Sequence, residues 1–282
     1  MTRQRLTITL KNDILKLLDG YIDGERIRNR SHAVEFLLSQ ALVPKGVKVL
    51  ILAGGEGVKF RPLTYELPKS MIPLAGKPLL EHTIEKLVRS GLTDIVISIG
   101  HLGDKVRGYF GDGSRLGAHI QYLDQAGLKS GTAQPLRQAK KLFEGSAFLL
   151  LYGDVLADIH FADFIEFHRS QSTSLITMAL TSVDKVAQWG SARVVGNRIV
   201  EFQEKPKTKD VRSHLVNAGM YMIEPTFFNL LDEKAQRLES DAFPRLSEQG
   251  KLFAYPFDGT WFDISTPEIY EKALTYLKNH SL

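Results

Sequence analysis

Along the first ten residues apolar and polar positions alternate: Leu6, Ile8 and Leu10 fall on one face, Arg5, Thr7 and Thr9 on the other. That period of two predicts a half-buried strand over "RQRLTITL". The period then changes. In "NDILKLLDGYID", Ile14, Leu17, Leu18, Tyr21 and Ile22 recur at helical spacing, so an amphipathic helix is expected with Asn12 or Asp13 as its cap. "GERIRNR" interrupts it. Ser31 is placed to cap a second helix running to about Leu42, with Val34, Leu37, Leu38 and Ala41 as its apolar stripe. Pro44 and Gly46 read as a short linker. One strand and two helices bury too little apolar area alone, and a lone strand leaves both edges unpaired. Pairing two copies across a dyad answers both problems.

From Val47 the pattern is one of strands alternating with helices. "VKVLILA" is a continuous apolar run suited to a strand buried on both faces of a parallel sheet. "PLLEHTIEKLVRSG" follows as a helix, then "DIVISIG", "DKVRGYF", "HIQYLD", a helix over about 133–143, and "AFLLLYGDV". The expectation is an α/β, Rossmann-like, doubly wound domain over residues 47–282, behind a small module (1–43) and a linker (44–46). A ligand of such a sheet sits at the carboxyl ends of its strands, where the loop 53–61 leaves the first one. Gly54, Gly55 and Gly57 let backbone amides turn toward phosphate oxygens, with Lys59, Arg61 and Lys69 as nearby cations. The loop is neither a Walker loop nor a Gly-x-Gly-x-x-Gly fingerprint.

Composition narrows the picture. The 282 residues contain no cysteine, which removes disulfides and thiolate metal sites. No run approaches 18 apolar residues and no apolar leader opens the chain, so a cytoplasmic protein without a membrane span is expected. Residues 1–46 hold eight Lys/Arg against five acids, a local +3 in a chain of net +4, which hints at a polyanion partner. The histidines, His160 and His168 among them, lack metal-ligand spacing, and Trp261 reads as a packing residue.

Two resemblances follow. Residues 3–42, through "RLTITL", the helix after it and "NRSHAVEFLL", resemble the ribbon-helix-helix DNA-binding family. That implies a homodimer or higher even oligomer, with Arg5, Thr7 and Thr9 in the major groove and Ser31 at a phosphate. A module used for dimerisation alone fits the same residues. "LAGGEGVKFRPLTYELPKSMIPLAGKPLLEH", "QAGLKSGTA", "LLLYGDV", "EFQEKP", "LVNAGMYMIEP" and "GTWFDISTPEIYEKA" look like the ordered motifs of the sugar-1-phosphate nucleotidyltransferases, over about residues 47–278.

This second resemblance implies transfer of a nucleotidyl group from an NTP to a sugar 1-phosphate. Leu52, Ala53, Gly54, Gly55, Gly57, Gln125, Gly131 and Thr132 would hold the nucleotide, and Gly190, Glu204, Lys205, Asn217 and Gly219 the sugar phosphate. Lys59 and Lys69 would approach the phosphates, and Asp154 and Asp263 would carry Mg²⁺. The compact catalytic part is similar to members using GTP with mannose-type or heptose-type 1-phosphates; glucose 1-phosphate with UTP or dTTP is close behind. The chain departs from the family's usual Gly-Thr-Arg at Gly57-Val58-Lys59, exchanging a bidentate guanidinium for a point charge. That departure, with the N-terminal module, leaves a second reading open: a transcription regulator whose nucleotidyltransferase-like domain senses a nucleotide or sugar nucleotide.

Overall fold

The apolar runs form a sheet covered on both faces. The computed structural model describes residues 7–22, 27–42, 46–125 and 131–280. In chain order its strands are β1 (Val49–Leu52), β2 (Pro73–Leu74), β3 (Lys77–Pro78), β4 (Asp94–Ile99), β5 (His119–Asp124), β6 (Phe148–Tyr152) and β7 (Val155–Ala157). They continue with β8 (Ile176–Ser182), β9 (Gly190–Val195), β10 (Arg198–Glu204), β11 (Leu215–Ile223), β12 (Leu252–Pro256) and β13 (Trp261–Asp263). Nine of them make one sheet in the order β5-β4-β1-β6-β11-β8-β12-β10-β9.

Successive residues of a strand point to opposite faces, and here both faces are dry. Val49, Ile51, Ile95 and Ile97 pack against Leu80, Ile84, Phe164 and Ile165 on one side. Leu50, Val96 and Leu150 pack against Leu136, Leu238 and Leu246 on the other. Each fully buried side chain of this kind contributes about 1.5–3 kcal/mol of transfer free energy.

The doubly wound reading describes one half of this sheet. β5, β4, β1 and β6 are parallel, but β11 runs antiparallel to both β6 and β8. β9 and β10 are an antiparallel hairpin. Its turn is Gly196-Asn197, with Gly196 at φ +61, and two-residue hairpin turns require such conformations. The sheet is therefore mixed, because local turn chemistry reverses the chain where no crossover helix intervenes.

Two short ribbons lie outside the large sheet, β2 with β3 and β7 with β13. A third apolar cluster joins them to the C-terminal helix Pro267–Asn279: Phe60, Ile72, Leu74, Leu156, Ile264 and Ala273. Thr266 caps that helix by accepting from Ile269 N, and Tyr270 donates to the Pro73 carbonyl at 2.6 Å. The segment after the glycine loop is thereby clamped.

At the N-terminus, helices Asn12–Asp19 and Arg30–Leu42 enclose a small core of Leu18, Ile27 and Ala33. Three expectations change here. Residues 7–11 form no strand in the single chain, since a ribbon strand has nothing to pair with until a second strand is present. The first helix begins at Asn12 with Lys11 as its N-cap and no side-chain capping bond. The second is capped by Asn29, whose Oδ1 accepts from His32 N at 2.9 Å, so Ser31 already lies inside the helix. Thr7 and Thr9 are exposed. Arg5 and Leu6 lie outside the described residues.

Candidate active site

β1 ends at Leu52, and Ala53 N is held by the Ser98 carbonyl at 2.9 Å. The chain then turns through the glycines across the mouth of the parallel half. Gly54 lies against Gln125: a Cβ at Gly54 would stand 2.5 Å from the Gln125 Oε1 atom. Gln125 is fixed in turn by donating to Ser98 Oγ at 2.7 Å. Gly57 has φ +63, and a Cβ there would lie 2.9 Å from both Lys69 Cβ and Thr64 Cγ2. The Thr64 hydroxyl donates to the Gly57 carbonyl at 2.8 Å, locking the turn. Gly55 is exposed. Sterics thus explain two of the three glycines, and the loop keeps its backbone open.

Gly131 and Thr132 border the same side. Gly131 has φ +148 and passes so close to Gln236 that a Cβ would sit 2.2 Å from its carbonyl oxygen. The Thr132 hydroxyl accepts from Leu238 N at 2.8 Å and donates to Glu239 Oε2 at 2.7 Å. That second bond joins Thr132 to Glu239, which lines the cavity beside it.

The cavity is open, of about 440 Å³, and is lined by Lys59, Asp154, Gly190, Glu204, Lys205, Asn217, Gly219 and Asp263, all singled out from the sequence. Tyr152, Val155, Gln188, Glu239, Trp261 and Ser265 complete its wall. Gly219 has φ +74 at a register shift in β11, and its N–H donates to Asn217 Oδ1 at 3.0 Å while Asn217 donates to Tyr221. These bonds fix the turn where Asn217 and Gly219 line the cavity. Lys205 adopts φ +47, a strained conformation for a residue with a Cβ, and its N–H donates to the Trp189 carbonyl at 3.1 Å. Glu204 is pushed above its ordinary pKa by burial and then by the Glu239 carboxylate.

Asp154 and Asp263 converge through the β7–β13 ribbon. Asp263 is in register with Val155, and Ile264 N donates to the Asp154 carbonyl at 2.8 Å. Burial, then the charge of Asp154, raises the Asp263 pKa. Lys69 forms an ion pair with Asp154 and so joins the loop to the carboxylates. Among the described residues no cluster of three or more His, Cys, Asp or Glu has metal-binding spacing. Two hard oxygen ligands nevertheless suit a cation that takes its remaining ligands from phosphate and water, and the mutual repulsion of the carboxylates favours one. The donor set fits a divalent metal ion.

Sequence reasoning missed Tyr152, Glu239 and Trp189. Tyr152 donates to Glu239, and Trp189 Nε1 donates to Asp263 Oδ2 at 2.8 Å. Glu239 belongs to no recognised motif, although the Trp189-Gly190 pair adjoins a residue that was singled out. Trp261, expected to pack, does so edge-on against Trp189 and also lines the cavity.

Comparison with known proteins bears on this geometry. The model of a family described as "Nucleotidyl transferase" matches residues 48–280. The chain is 34% identical over 230 residues to a protein of Oryza sativa subsp. japonica named "Probable mannose-1-phosphate guanylyltransferase 2", covering 79% of this chain and 63% of that one. It is 31% identical over 243 residues to "UTP--glucose-1-phosphate uridylyltransferase" of Synechocystis sp., covering 81% and 62%. The chain therefore spans less than two thirds of these relatives' own lengths. In fold it superposes on a crystal structure of a UDP-glucose pyrophosphorylase complexed with UDP-glucose, with a TM-score of 0.73 at 22% identity, covering 83% and 99% of the two chains.

Proposed function

From the nucleotidyl transferase family, to which this chain belongs, we propose that it joins an NTP to a sugar 1-phosphate, releasing an NDP-sugar and pyrophosphate. The observation that carries this reading is the meeting, around one cavity, of Asp154, Asp263, Lys59, Glu204 and Lys205 beside the glycine loop. A sugar-phosphate oxygen forms a bond to the α-phosphorus of the NTP. The bond from that phosphorus to the bridging oxygen of the β-phosphate breaks, and pyrophosphate leaves with its electron pair. Lys59 and Lys69 offset the negative charge brought together, and Lys205 with the Asn217–Gly219 turn orients the sugar phosphate. Asp154 and Asp263 would hold Mg²⁺, which when bound supplies Lewis acidity at the phosphates. GTP with a mannose-type 1-phosphate is favoured slightly over UTP or dTTP with glucose 1-phosphate, in line with the name of the rice relative.

The test is pyrophosphate release across a panel of NTPs and sugar 1-phosphates, with Asp154→Asn as the control. Turnover by wild type with at least one pair is expected, and a fall of at least about 10²-fold in the control. An inert wild type across the whole panel would sink the reading. The sensor alternative is not favoured, since a binding-only domain has little use for both carboxylates.

Residues 1–43 are proposed to pair two copies of the chain in ribbon-helix-helix fashion and to bring DNA to Arg5, Thr7 and Thr9. Support comes from apolar side chains left uncovered in the single chain: Ile8 is 48% exposed and Leu17 66%.

A further inference from the structure

Trp189 is where separate parts of the cavity wall meet. It is half-buried between the turn Val186–Gln188 and β9. Its indole Nε1 donates to Asp263 Oδ2 at 2.8 Å, and its carbonyl accepts from Lys205 N at 3.1 Å. The ring packs edge-on against Trp261, with centroids 5.4 Å apart. Trp261 donates to the Ala218 carbonyl at 3.0 Å, between Asn217 and Gly219. The residue thus touches the carboxylate and the tryptophan of one motif and the strained main chain of another, and through Trp261 it adjoins a third at Ala218.

Asp263 ends a strand of three residues, so strand pairing does little to fix its side-chain torsions. An indole has one N–H and no acceptor, so its bond to a carboxylate oxygen runs in one direction only. Bonding one oxygen in this way holds the carboxylate plane while leaving lone pairs free for a ligand. We propose that Trp189 is the positioning residue of the site: it orients Asp263 for uptake of a divalent cation and couples that carboxylate, through its own main chain, to the Lys205 turn. This rests on the reading of Asp263 as a metal residue given above.

The experiment measures Mn²⁺ alone binding to the full-length chain by water-proton relaxation. Trp189→Phe, which keeps the aromatic packing and removes the N–H, should weaken Mn²⁺ binding by about 10–100-fold. Trp189→His, which restores a ring N–H, should recover part of the loss. If Trp189→His falls as far as Trp189→Phe, restoring a ring N–H recovers nothing, the hydrogen bond does not position the carboxylate and the proposal is wrong. It also fails alone if Asp263→Asn loses the ion while Trp189→Phe keeps wild-type affinity. Should Asp263→Asn itself bind as wild type does, the metal reading of Asp263 falls and takes this proposal with it. The unmutated protein offers a second measurement, because Trp189 and Trp261 are its only tryptophans. One indole N–H resonance should shift as Mg²⁺ is titrated and stay still in Asp263→Asn. No shift in either resonance overturns the proposal.

Discussion

Val58 and Lys59 stand where the glycine loop meets the cavity, and their surroundings decide what a substitution there can do. Val58 is 56% exposed and Lys59 is exposed, so neither is held by the core. Val58→Thr with Lys59→Arg should therefore fold normally and leave pyrophosphate release unchanged or raised, by up to about 10²-fold if one transition-state contact is restored. A lower rate would mean that the ammonium of Lys59 is itself adapted to the site. Glu204 has a different signature. Its folded pKa lies above the ordinary value of about 4.5 because of burial, then Glu239. A carboxyl so shifted binds its proton more tightly in the folded chain. Its contribution to stability is present below the unfolded pKa and lost as pH rises through the folded one. Glu204→Gln, which cannot ionise, should melt higher than wild type at pH 8 and close to it at pH 4. Equal displacement at both pH values in thermal melts would contradict this.

Among elements, the helix Phe161–Ser170 is tied to the sheet by a polar contact the periodicity does not show. His168 is buried; its Nδ1 lies 2.7 Å from Thr177 Oγ1 in β8, and its Nε2 3.2 Å from Glu224. Burial holds the ring below its ordinary pKa. Thr177→Val keeps the side-chain volume and strands the imidazole nitrogen, so chemical denaturation should report a loss of about 1–3 kcal/mol. No measurable loss would mean that water replaces the hydroxyl. β1, β4 and β6 were legible as strands because a strand buried on both faces must be largely apolar, whereas the edge strand β5 exposes His119, Gln121 and Asp124. β7 and β13 were not, since three-residue strands carry no period to read.

At the scale of the whole molecule, the N-terminal segment is the open question that mass and binding measurements answer. Its core of Leu18, Ile27 and Ala33 leaves Ile8, Leu10, Ile14, Leu17 and Tyr21 exposed. Deleting residues 1–46 should abolish the dimer in solution, as measured by light scattering. If the truncated and full-length chains have the same mass, the segment does not join them. DNA binding should fall steeply with salt and weaken on Arg5→Ala, whereas changes at Thr7 or Thr9 should alter sequence preference more than affinity. Titrations at several salt concentrations check this, and absence of binding at low salt leaves dimerisation as the module's role. Among the described residues no helix is long and apolar enough to cross a membrane.

What the sequence alone determined was whatever has a local physical cause. Apolar runs announced the buried strands, and "PLLEHTIEKLVRSG" read as a helix, whose Leu80, Ile84 and Leu87 the structure packs against them. Ordered motifs marked Asp154, Glu204, Lys205, Asn217, Gly219 and Asp263 before any geometry was known. Only the tertiary structure decided how these residues are held. Gly54 packs against the end of the Gln125 side chain, 71 positions later, which a Cβ would displace. Glu239 reaches the cavity through Tyr152 and Thr132, each more than 80 residues away in the chain. Trp189 reaches Asp263 across 74 positions. Asn29 rather than Ser31 caps its helix because its Oδ1 is the acceptor that reaches His32 N, although both residue types suit the position. Hydrophobic periodicity records which face of an element is buried, but a side-chain hydrogen bond depends on distances that arise only when distant segments pack, so no pattern along the chain could have carried it.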